Sequence, residues 1–185
     1  MPRPICQRLI AFLRAINVGG HTVAMARLRR EFEGLGFTEV ETFIASGNVI
    51  FTARAGDLAA IEKTIEARLE AALGFEVATF VRTDAEVAAV AGYQPFTAAQ
   101  IEDGAALYVG FVGRPLDAAA ARAVMQFKTD ADDFRVKGRE VYWLRKTRQS
   151  DSPFKYVSLE KTLKIRATFR GINTVARLAA KHGPT

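Results

Sequence analysis

Between Arg8 and Arg82 the chain alternates β-rich runs with amphipathic stripes in the order strand, helix, strand, strand, helix, strand. "RLIAFLRAI" (8–16) is an aliphatic run of strand length that ends at Asn17. Met25, Leu28, Phe32 and Leu35 then recur at steps of three and four, the stripe of a helix closed by Gly36. "VETFIAS" and "NVIFTA" are two strands separated at Ser46-Gly47-Asn48, a tight hairpin in which Gly47 supplies a positive φ. Asp57 is placed to cap a helix striped by Leu58, Ile61, Ile65, Leu69 and Leu73 and stopped by Gly74, and "FEVATFVR" (75–82) follows as the fourth strand. This order is the split βαβ plan of a ferredoxin-like sheet.

After a short helix, "DAEVAAVAGY", and Pro95, the same order begins again. "ALYVGFVG" reads as a strand, "LDAAAARAVMQF" as a helix, "DFRVK" and "EVYWLRK" as a hairpin across Gly138, "SLEKTLK" as a helix and "IRATF" as a last strand. "NTVARLAAKHG" is a terminal helix with Asn173 or Thr174 as its cap and Gly183 as its stop. The expected fold class is therefore α+β: two ferredoxin-like (βαββαβ) halves in tandem, residues 1–103 and 104–185, with antiparallel sheets covered by helices. No sequence identity links the halves, so the duplication rests on element order. In such a sheet the turn after the first strand and the 46–48 hairpin share one end, which would bring Asn17 and Asn48 together.

Charge is divided unevenly. Residues 1–103 hold 10 basic and 13 acidic side chains, residues 104–185 hold 16 and 7, and 13 Lys/Arg crowd into 135–181 against Glu140, Asp151 and Glu160. That is the footprint of an anionic partner or a solvated basic face. A lone cysteine, Cys6, excludes an intramolecular disulfide, and with His21 and His182 it has no zinc-site spacing. The apolar start is too short and too interrupted by Arg8 and Arg14 to span a bilayer, and it has no small-residue cleavage site, so a cytoplasmic location and no membrane partner are expected.

Neither GxxxxGK[ST], GxGxxG nor Gly-x-Ser-x-Gly occurs, and no pair of carboxylates stands apart from the solvated helix faces; no metal and no cofactor is implied. Three segments carry more than turn chemistry needs: "LRAINVGGH" (13–21), "SGNVIF" (46–51) and "ATFRGINTV" (167–175). Each sets Asn or Thr beside glycine or arginine at a strand end or before a helix, where free backbone N–H groups can hold an anion. Asn caps and left-handed glycines would produce the same pattern.

Together the three segments resemble domain of unknown function 1697, a bacterial family whose pattern runs Leu-Arg-Gly-Ile-Asn-Val-Gly-Gly, Ser-Gly-Asn-Val-x-Phe and Thr-x-Arg-Asn-x-Asn-Thr. The matching positions are Leu13, Arg14, Ile16, Asn17, Val18, Gly19 and Gly20; Ser46, Gly47, Asn48, Val49 and Phe51; and Thr168, Arg170, Asn173 and Thr174. Ala15 stands where the family has glycine, Gly171 where it has asparagine, and "SDSPFKY" is an irregular form of a Ser-Lys-containing stretch. The resemblance implies two ferredoxin-like halves and brings no activity with it.

Two functions follow. One is binding of an anionic ligand, a phosphorylated small molecule or nucleic acid, at the Gly/Asn-rich turns (Arg14, Asn17, Gly19, Gly20, His21, Ser46, Asn48, Thr168, Arg170, Asn173) and the basic second half. "NVIFTA" lacks the aromatic octapeptide with which RNA-recognition modules stack bases. The other is an enzyme acting on a small phosphorylated or carboxylated metabolite with Arg14 and His21 in the site, His21 being the acid–base group near neutral pH. Ser46 with His21 as base is a further arrangement, against which stands the ordinary turn chemistry of a hairpin serine. Oligomeric state is not encoded in any of these features.

Overall fold

The computed structural model describes residues 5–17, 22–147 and 152–184. Packing divides the chain into two compact units, one made of the chain up to Ala89 with Leu178–Thr185, the other of Val90–Arg177.

In the first unit the elements are β1 (Cys6–Leu13), α1 (Met25–Glu33), β2 (Thr38–Phe43), β3 (Asn48–Arg54), α2 (Leu58–Leu73), β4 (Thr79–Thr83) and the start of α3 (Asp84–Gly92). The strands form one antiparallel sheet ordered β2-β3-β1-β4, the ferredoxin-like order foreseen from the element pattern. Alternate residues of β1 and β3, namely Leu9, Ala11, Leu13, Val49 and Phe51, pack against Leu28 and Phe32 of α1 and Ile65 and Leu69 of α2. Asp57 caps α2 by accepting from Ala59 N at 3.0 Å, and Gly74 ends it in the left-handed region.

Two strand ends differ from their sequence-based expectations. β1 stops at Leu13 rather than Ile16, because Ala15 and Asn17 take φ of 60° and 57° and break the extended chain. β4 begins at Thr79 rather than Phe75. As the outermost strand it is covered by α2, whose Glu66 and Glu62 accept from Thr79 N and Val81 N at 2.9 and 2.7 Å. An edge whose N–H groups are already satisfied offers no template for another strand.

The second unit continues with α4 (Ala98–Asp103), β5 (Ala106–Val112), α5 (Ala118–Met125), β6 (Asp132–Lys137), β7 (Glu140–Arg145), α6 (Tyr156–Leu163), β8 (Ala167–Gly171) and α7 (Ile172–His182), whose end from Leu178 belongs to the first unit. Its sheet has the same order, β6-β7-β5-β8, again antiparallel throughout. The core gathers Val112, Val124, Phe134, Val141, Trp143, Phe154 and Leu159. Here too a glutamate covers the outer strand, Glu160 of α6 accepting from Ala167 N at 2.9 Å. α7 begins at Ile172, so Asn173 and Thr174 lie inside its first turn and neither is its cap. The helix starts directly from β8, with no loop in which a cap could stand. No helix among the described residues is long and apolar enough to cross a membrane.

Candidate functional site

At one end of the first sheet the β1–α1 turn meets the β2–β3 hairpin, as the topology requires. Phe12 is paired with Asn48, and Leu13 N donates to Gly47 O at 2.8 Å. Asn17 joins the two turns: its Nδ2 donates to Ala45 O at 2.8 Å while its Oδ1 accepts from Val23 N at 2.7 Å. Asn48 is fully buried, and its Nδ2 donates to Phe43 O at 3.1 Å and Ser46 Oγ at 2.9 Å. Gly47 takes φ 74°, and a Cβ there would lie 3.0 Å from Ile16 Cβ, so both its conformation and the close approach of β1 require glycine. The hairpin loop is longer than the tight turn read from the sequence: Phe43 pairs with Asn48, leaving Ile44, Ala45, Ser46 and Gly47 between. Arg14 is half-buried and its backbone N–H reaches Ala78 O at 2.8 Å. Gly19, Gly20 and His21 lie outside the described residues.

The other predicted residues belong to the second unit. Thr168 and Arg170 are buried in β8, and Asn173 is exposed on the first turn of α7. Arg170 Nη1 donates to Thr168 Oγ1 at 2.8 Å and Phe169 O at 3.0 Å. Burial pulls its pKa down to about 10, which leaves it cationic at neutral pH. Thus the structure joins Asn17 with Ser46 and Asn48, joins Thr168 with Arg170, and assigns the two groups to different units.

Comparing the two sheets reveals a residue that sequence reading passed over. Arg170 lies opposite Val109 in β5, and Arg82 of β4 lies opposite Ile10 in β1, so the two arginines hold the same register position. Arg82 is fully buried, and its Nη1 donates to Val81 O at 3.0 Å, repeating the bond from Arg170 to the carbonyl before it. The signal was present as "TFVRT" and "ATFRG", two strands with arginine next to last.

A second polar cluster in this unit was also unforeseen. Asp132, fully buried at the start of β6, accepts from Trp143 Nε1 at 2.7 Å and from Ser152 Oγ at 2.8 Å. Ser152 in turn accepts from Phe154 N at 3.2 Å, which fixes the start of the irregular "SPFKY" stretch on the sheet. On the other face, burial raises the pKa of Asp133, but the hydrogen bonds from Lys128 and Phe134 N and the charge of Arg135 outweigh it and hold the carboxyl below its usual range. No group of three or more His, Cys, Asp or Glu able to hold a metal occurs among the described residues.

A family model described as "Protein of unknown function (DUF1697)" matches residues 6–142. The chain belongs to this family. The DUF1697 match takes in the Asn17 and Asn48 turns and ends before Thr168. The structure of conserved bacterial protein SP0830 from Streptococcus pneumoniae is similar with a TM-score of 0.75 and 23% identity, over 96% of this chain and 98% of that one. At that identity the likeness is one of fold. A search of the curated proteins found no match.

Proposed function

We propose that this DUF1697 protein binds an anionic, phosphate-bearing polymer through its second unit. The observation that carries this reading is where the charge sits. The second unit holds 15 Lys/Arg against 9 Asp/Glu and the first 11 against 11, so the second accounts for the whole net charge of +6. On its edge strand β6, Arg135 and Lys137 alternate with the core residues Phe134 and Val136 and extend from the opposite face. Each cation rests on an aromatic ring: the Arg135 guanidinium is 4.8 Å from the Phe96 centroid, and Lys137 Nζ is 4.0 Å from that of Tyr93. Such seating holds a cation in place while its outer side stays available. Asp133 pairs with Arg135 and Lys128 at 2.8 and 3.1 Å and Glu140 of β7 stands opposite Lys137, so the strip carries three cations against two carboxylates. Without a base-stacking octapeptide, recognition would rest on phosphates and be independent of sequence.

The test is fluorescence anisotropy of the full chain with a labelled single-stranded oligonucleotide over a salt series. Affinity should fall linearly in log K against log salt. In the double variant Arg135→Gln/Lys137→Gln the slope should become shallower by about one per cation removed. A flat salt response, or a double variant that binds as the wild type does, overturns the reading and leaves the basic surface a solubility feature.

A further inference from the structure

Register equivalence between the two sheets singles out Arg145, the last residue of β7. In the first sheet Gln7 is opposite Ala53 and Leu9 is opposite Phe51; in the second, Ala106 is opposite Arg145 and Tyr108 is opposite Trp143. Arg145 therefore occupies the place of Ala53, which is part of the first unit's apolar core. Along β7 it follows Val141 and Trp143 on the core-facing side.

A cation at such a position ordinarily comes with a carboxylate. Arg145 is only 9% exposed, yet its Nε and Nη1 are buried and meet no hydrogen-bond partner among the described residues. Asp132 is its cross-strand neighbour but gives its oxygens to Trp143 and Ser152 instead. What Arg145 does have is Tyr108, whose ring centroid is 5.3 Å from the guanidinium carbon. That contact covers one face and fixes the plane of the group, leaving the Nε and Nη1 donors in its edge unspent among the described residues. Architecture alone gives no reason for an arginine here, since the equivalent position is filled by a methyl group.

We infer that Arg145 anchors a binding site for an oxyanion, the carboxylate or phosphate of a small molecule, held in the plane that Tyr108 sets for the guanidinium. The site faces the opposite side of the sheet from Arg135 and Lys137 and is independent of the polymer surface. An oxyanion offers the acceptors that the buried N–H groups lack, and charge-assisted bonds of this kind are the strong ones.

The experiment is an NMR titration of the full chain with inorganic phosphate and, separately, acetate, against chloride at matched ionic strength. It follows the Arg145 Nε–H resonance, with melting temperature read in parallel. A saturable shift with phosphate, with acetate or with both is expected, and which anion saturates first identifies the ligand's head group. Arg145→Met should abolish the anion-dependent rise in melting temperature. Shifts no larger or more saturable than those with chloride overturn the inference, and the wild-type titration decides this even if the variant fails to fold. Loss of the site would leave oligonucleotide binding through Arg135 and Lys137 intact, so the two readings fail separately.

Discussion

Ala15 and Asn17 both adopt the left-handed backbone region just beyond β1, and they do not tolerate it equally. Asparagine visits that region readily, whereas for alanine it costs about 1–2 kcal/mol. The family pattern has glycine at the Ala15 position, which the φ of 60° explains. Ala15→Gly should therefore stabilise the protein by about 0.5–1 kcal/mol, the relief of strain being partly offset by the greater freedom of glycine in the unfolded chain. Urea midpoints at unchanged m-value measure this, and a lower midpoint would mean that the methyl group packs usefully. Asn17→Ala should cost about 1–3 kcal/mol, since it strips partners from Ala45 O and Val23 N and puts a second alanine in a left-handed conformation. At this scale the sequence was readable where residue type announces the conformation, as at Gly47. It was silent at Ala15, because nothing in an alanine announces a positive φ.

Among elements, the end of α7 carries a titratable contact. His182 is buried in the first unit, its Nε2 without a hydrogen-bond partner among the described residues and 3.9 Å from Glu41 Oε2 of β2, while Lys181 Nζ pairs with Glu41 Oε1. Burial holds the His182 pKa below its usual value; Glu41 opposes this, and Lys181 and Arg8 add to it. Glu41 is itself held low, chiefly by the Lys181 hydrogen bond, and stays ionised. The folded state thus resists a proton that the unfolded chain accepts near the ordinary value of 6.5. Stability should be intact above that pH and fall as pH drops from there through the lower folded value. In His182→Gln this segment of the pH–stability curve should flatten. In Glu41→Gln it should start at the same pH but extend further down, since the charge favouring the imidazolium in the folded state is gone. Parallel curves for wild type and His182→Gln would remove His182 as the titrating group. A helix-end histidine reads from sequence as solvated, so this contact was not foreseen. Strongly striped helices were, but α4 was missed because its defining feature is the Thr97/Gln100 capping box rather than an apolar face.

For the whole molecule, duplication explains features that neither unit explains alone. The paired glutamates on the outer strands and the paired buried arginines repeat without sequence identity, so the plan persists through register rather than residue type. One position shows how packing adapts to that plan. Ala11 is opposite Val81 in the first sheet, and Gly110 is opposite Phe169 at the same register in the second. The pair keeps its place while volume moves from one strand to the other. A Cβ on Gly110 would lie 2.6 Å from two atoms of the Phe169 ring, so the larger partner demands the smaller one. Phe169 is in turn held by Trp143 and Phe154, at 6.1 and 6.3 Å between ring centroids, which limits its retreat. Gly110→Ala alone should cost about 1–3 kcal/mol as overpacking. Installed together with Phe169→Val, which recreates the Ala11–Val81 pair, it should cost less than it does alone. A double-mutant cycle on unfolding free energies then gives a coupling of about 0.5–3 kcal/mol favouring the double variant. Additive costs would show that the ring yields freely and that the exchange of volume between the two sheets carries no energetic link.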